Sequence, residues 1–335
     1  MEIPPEAPIA AQRLFVAEAP LLAVTLSCGA RTALDAPTEE SDGAVSAMAF
    51  AVGEYTDCAH GIFAPTGGTM GVDRDATLSL TQSGSSLHAR FVDQNGARSE
   101  YDFAVTTGST ATLTPNGIAS SGAPHPCVLG LGSVARGPTA LLADEGSLTV
   151  DRDALFLVAQ GTATDVTAGR CGVLSDRQSV WIACRHRDRT TPAAVASVSA
   201  ATFPSGAFSC QTQAATYVFA NGLHQYSGSG AMGSLSVAQR GSTLSLTYAG
   251  DRAVTMTTDF ALTSPFSARA SEATGVSATC DEPISTPAAT MTAPLNTTAG
   301  AVLLAGSTLF VSVAGVMTGA CEGAEKFVTL RCTRM

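Results

Sequence analysis

The sequence predicts an all-β protein built from two tandem homologous antiparallel β-barrel or β-sandwich modules, each linked by disulfides. Three observations predict it. Cys58, Cys127, Cys171 and Cys184 stand 69, 44 and 13 positions apart, and Cys210, Cys280, Cys321 and Cys332 stand 70, 41 and 11 apart. Other landmarks recur in the same order, as expected of a duplicated unit. Apolar residues alternate with period two on either side of glycine turns, the pattern of hairpins with one buried face.

The strands can be followed along the chain. Leu78 and Leu80 lead through Ser83-Gly84 to Leu87, Ala89 and Phe91. In the second copy Leu235 and Val237 lead through Arg240-Gly241 to Leu244, Leu246 and Tyr248. Asp102-Phe103-Ala104 returns as Asp259-Phe260-Ala261, and Leu155-Phe156 as Leu309-Phe310. Gly53-Glu54-Tyr55-Thr56-Asp57-Cys58 returns one residue shorter as Gly206-Ala207-Phe208-Ser209-Cys210. A meander of neighbouring hairpins favours a barrel over a sandwich, because closure removes exposed sheet edges. The opening glycine and aromatic followed by hairpins resembles lipocalin and avidin-like barrels, without their usual tryptophan, since the only tryptophan is Trp181.

At 335 residues the chain is long enough for two domains with full cores. The formal charge of −10 argues against nucleic acid, whose recognition needs clustered Lys and Arg. Lys326 is the one lysine among 18 basic residues. Charged residues make up only 14% of the chain, and no long Glu, Lys and Leu periodicity speaks for helices.

Leu14 to Ser27 form an apolar run of signal-peptide length, too short to span a bilayer as a helix. At its end Leu26-Ser27-Cys28-Gly29 resembles the lipobox of bacterial secreted lipoproteins, with Thr25 where that family usually carries leucine. The resemblance implies lipid on Cys28, a membrane anchor and an extracytoplasmic location, either at the outer membrane or secreted. The resulting organisation is a signal peptide with lipobox over 1–28, a flexible tether over 29–52, module 1 over 53–187, a linker over 188–202 and module 2 over 203–335.

The eight framework cysteines read as disulfides, since none has the two-residue spacing of a zinc knuckle. Four cysteines allow three pairings per module. Cys171 and Cys184 flank an apparent hairpin with Asp176-Arg177-Gln178 at its tip, and Cys321 and Cys332 repeat it around Glu325-Lys326. That geometry favours Cys171 with Cys184 and Cys321 with Cys332, leaving Cys58 with Cys127 and Cys210 with Cys280.

The chain lacks a nucleophile elbow, a phosphate loop, a dinucleotide fingerprint and an H-E-x-x-H helix. His60, His88, His125, His186 and His224 are scattered, and none recurs between copies at an obvious site. Asp73-Arg74-Asp75 and Asp151-Arg152-Asp153 could share calcium, yet calcium needs six or more oxygens, and turn chemistry explains the motif more simply. Arg185, His186, Arg187 and Arg189 form the one basic run, read as a solvated linker between modules, with contact to an anionic surface or partner as the alternative. Asn296-Thr297-Thr298 is a glycosylation sequon without meaning in a bacterial host.

No catalytic residue, metal site or cofactor is expected. The reading is a non-catalytic binding or scaffolding protein of the envelope, with the membrane as one partner and a small molecule, glycan or envelope component as another. A secreted hydrolase with a site assembled from distant residues, or a purely structural envelope protein, are the alternatives.

Overall fold

The computed structural model describes residues 50–335 apart from 65–66, 74–75, 94–97, 108, 116–125, 130–132, 137–138, 166–176, 189–201, 219–223, 251–254, 265–266, 273–276, 282–289 and 320–323. The first copy holds β1 (Gly53–Ala64), β2 (Gly67–Asp73), β3 (Thr77–Ser83), β4 (Ser86–Val92), β5 (Arg98–Thr107), β6 (Thr110–Leu113), β7 (Pro126–Leu129), β8 (Ser133–Arg136), β9 (Thr139–Asp151), β10 (Ala154–Asp165) and β11 (Arg177–His186). The second holds β12 (Gly206–Val218), β13 (His224–Arg240), β14 (Thr243–Gly250), β15 (Thr255–Ser264), β16 (Ser267–Glu272), β17 (Ser277–Asp281), β18 (Thr290–Ala305), β19 (Thr308–Met317) and β20 (Ala324–Arg334).

Each copy closes into an antiparallel barrel. In the first the order β1-β3-β4-β5-β6-β9-β10-β11 returns to β1 through the β11–β1 pairing. In the second β12-β13-β14-β15-β16-β18-β19-β20 returns to β12. Of the remaining strands β2 and β17 are pieces of broken staves, and β7 and β8 form a separate two-stranded sheet. β3 pairs with Gly53–Tyr55 of β1 while β2 pairs with Cys58–Ala64 on the same side, the work that the single long β13 does for β12. β16 and β17 likewise lie in line between β15 and β18.

The alternation expected from sequence sets what faces inward. Leu78, Leu80, Leu87, Ala89, Phe91, Tyr101 and Phe103 enter the core of the first barrel. Leu235, Val237, Leu244, Leu246, Tyr248 and Phe260 enter that of the second. The tight-turn end of each barrel is stoppered in the same way. Phe50 N donates to Gln82 Oε1 at 2.8 Å and Gln82 Nε2 donates to Gly84 O at 2.8 Å. Phe203 N and Gln239 repeat this with Gly241 at 2.7 and 2.9 Å. Gly84 and Gly241 have φ of 60° and 59°, so glycine suits both turns. Phe50 and Phe203 are buried, so the barrel claims the last residues of the stretch expected as a tether.

The disulfides correct the pairing favoured from sequence. Cys58 bonds Cys184 and Cys210 bonds Cys332, with Cα separations of 4.1 and 4.0 Å. Each ties the first strand of a barrel to its last. Cys184 lies on β11, which pairs with β10 on one side and β1 on the other. Cys210 and Cys332 face each other directly, whereas the register slips between Thr56 and Ala59 beside Cys58. Asp57, at φ 50°, takes up the slip. It is the extra residue by which the first copy's opening exceeds the second's.

Candidate functional site: the seam between the barrels

Strands β10, β11, β19 and β20 bury both faces, one inside a barrel and the other against the neighbouring barrel. Outward side chains Ala59, Phe63, Phe156, Val158 and Trp181 of the first barrel meet Ala301, Leu303, Phe310, Ala314 and Phe327 of the second. Phe63 and Phe310 lie with ring centroids 6.4 Å apart.

Several polar groups are matched across the seam. Trp181 Nε1 donates to Gln213 Oε1 at 2.5 Å, and Gln213 Nε2 donates to Ile62 O at 2.9 Å. At the tight-turn end the Asp-Arg-Asp turn of β9 and β10 carries the densest network. Asp151 Oδ1 accepts from Arg269 Nε at 2.9 Å, and Asp151 Oδ2 accepts from Gly300 N at 2.8 Å. Arg152, with φ 53°, donates to Ala270 O at 3.0 Å and to Thr298 O. Arg185 donates to Asp153 Oδ1 and Thr298 Oγ1, each at 2.8 Å, and lies 5.6 Å from the Phe327 ring centroid. The second barrel has Gly306 at φ 55° where the first has Arg152.

These contacts decide several expectations. Asp151 and Asp153 are neutralised by Arg269 and Arg185, not by the arginine between them, so turn chemistry is supplemented by a contact between barrels. Arg185 is buried on β11 and bonded on both sides of the seam, contrary to the solvated stretch read from sequence. Arg187 pairs with Glu54, and His186 packs edge-on against Tyr55 with centroids 5.0 Å apart.

The other sequence-flagged residues are dispersed. His60 points into the first barrel 5.2 Å from the Phe91 ring, while His88 Nδ1 meets Asp102 Oδ1 at 2.8 Å on the exposed face. Asn296 is exposed on β18. Cys28, His125, Cys171, Arg189 and Cys321 lie outside the described residues, as do Arg74 and Asp75 and the side chains of Asp73, Cys127, His224 and Cys280. Among the described residues no three His, Cys, Asp or Glu side chains gather to hold a metal. Among them, too, no helix is long and apolar enough to cross a membrane.

No family model matches the chain, and no curated protein does either. Similar solved structures share little sequence with it. The isotype 1 transferrin binding protein B of serogroup B Neisseria meningitidis is 11% identical with a TM-score of 0.28, over 78% of this chain and 52% of that one. A protein of unknown function from Nostoc punctiforme is 10% identical with a TM-score of 0.24, over 85% and 96%. A Myxococcus xanthus hemagglutinin in complex with a mannopentaose is 13% identical with a TM-score of 0.17, over 83% and 100%.

Proposed function

We propose that this chain is an extracytoplasmic, non-catalytic binding or scaffolding protein, tethered to a membrane by lipid on Cys28. The observation that carries this reading is the pair of buried disulfides, one per barrel, each joining first strand to last. Such bridges belong to oxidising compartments. The inward-facing side chains of both barrels pack as apolar cores, and in the seam Arg185 is engaged with Asp153 and Arg269 with Asp151. That arrangement supports recognition on an outer surface of a rigid body rather than bond-making inside it.

The test is intact mass of the mature protein isolated from a lipoprotein-processing bacterial host, before and after reduction and alkylation. An acylated Cys28 as the N-terminal residue is expected. Nine cysteines less Cys28 leave eight, all alkylated only after reduction. An unacylated Cys28 inside a longer chain removes the anchor from the reading. Alkylation of the framework cysteines without reduction removes the export.

A further inference from the structure

Among the facing positions beside the seam at which the two copies differ, one pair changes from alanines to polar residues. One residue inward from the disulfide, the first barrel places Ala59 opposite Ala183, both fully buried. The second barrel places Gln211 opposite Arg331 at the same position. The barrel itself therefore does not require polar groups there.

Arg331 is partly buried, and desolvation pushes its pKa down. Its Nε donates to Ser179 Oγ of the other barrel at 3.1 Å, which fixes the guanidinium against the seam. Among the described residues no carboxylate pairs with it. Ser179 Oγ in turn reaches Gln160 Oε1 at 3.5 Å. The Oε1 of Gln211 is buried and accepts no hydrogen bond. Met232, facing Gln211 across β12 and β13, is 45% exposed.

A half-desolvated cation without a counter-ion and a buried acceptor without a donor are both costly to keep. A single ligand satisfies both if it carries an oxyanion for the free fork of Arg331 and a hydroxyl for Gln211. We propose that Arg331 and Gln211, with Ser179 as the positioning residue, form an oxyanion-binding subsite at the seam. Its ligand is a carboxylate or phosphate on a small hydroxylated molecule such as an acidic sugar. This site rests on the binding role proposed above and gives that role a location.

The test is calorimetric titration of the full mature chain with glucuronate, inorganic phosphate and, as the neutral control, glucose. Glucuronate binding with 1:1 stoichiometry, and no heat from glucose, is expected. Phosphate binding alone would assign the site to the bare anion, and glucuronate binding assigns it to the hydroxylated acid. Arg331→Met should weaken the bound anion at least tenfold, Arg331→Lys less, and Gln211→Ala should weaken glucuronate but not phosphate. Should Arg331→Met fail to fold, Gln211→Ala and Arg331→Lys still decide the matter. Absence of binding by both anions, or equal binding by all variants, overturns the site. The acylation and alkylation masses would stand unchanged by that failure, which separates the two proposals.

Discussion

Gly61 lies at a close approach of the two barrels, for a Cβ there would run into Gln213 Oε1 of the second barrel and Trp181 Nε1 of its own. The glycine leaves room for one buried hydrogen bond. Replacing Trp181 by phenylalanine keeps most of the apolar contact but removes the donor, stranding Gln213 Oε1. A loss of about 1–3 kcal/mol is expected, read as a lower urea midpoint with unchanged slope. Tyrosines offer a second residue-level test. Burial pushes the phenol of Tyr55 well above its usual range, and that of Tyr101 up to about 12. Since the folded pKa exceeds the unfolded value of 10, both stabilise the fold fully below pH 10 and lose that contribution as pH rises through 10 toward 12. Spectrophotometric titration near 295 nm should therefore show at least two of the five tyrosines ionising late, together with a fall in stability above pH 10.

At the scale of strands, closure is the decisive event. The Cys58–Cys184 bridge spans 126 positions and Cys210–Cys332 spans 122, so each removes about 4–5 kcal/mol of unfolded-chain freedom in the loop-entropy model. Cys58→Ser with Cys184→Ser should lower unfolding free energy by about 3–5 kcal/mol, measured by denaturant titration under non-reducing conditions. Peptide mapping without reduction should recover Cys58 joined to Cys184 and Cys210 joined to Cys332. The hairpins around Gly84 and Gly241 were legible because their pattern is local. The bridges were not, because first and last strands become neighbours only when the barrel shuts. The seam left a signal that period-two reading passes over: Ala154-Leu155-Phe156-Leu157-Val158-Ala159 and Val180-Trp181-Ile182-Ala183 are unbroken apolar runs, the mark of a strand buried on both faces. The contrast of Ala59 and Ala183 with Gln211 and Arg331 was also present in the sequence, but it acquires meaning only once facing pairs are known.

For the molecule as a whole, the seam makes two barrels one body. Each barrel alone would expose a face carrying aromatic and aliphatic side chains, Phe63, Phe156 and Trp181 on one side and Phe310 and Phe327 on the other. Asp151 fastens that seam at the first barrel's tight-turn end, 2% exposed in its side chain and bonded to an Arg269 that is 13% exposed. Removing one member of so buried a pair leaves the other charge uncompensated, at a cost of about 3–5 kcal/mol. Calorimetry of the intact protein should give a single unfolding transition whose van't Hoff and calorimetric enthalpies agree, because neither barrel melts without uncovering the other. Asp151→Ala, by weakening the joint while sparing both barrel interiors, should lower the melting temperature and separate the transition into two. Two transitions already present in the unaltered protein would show that the seam does not couple the barrels. An unsplit transition in Asp151→Ala, shifted by less than a degree, would show that the apolar contact alone holds them together.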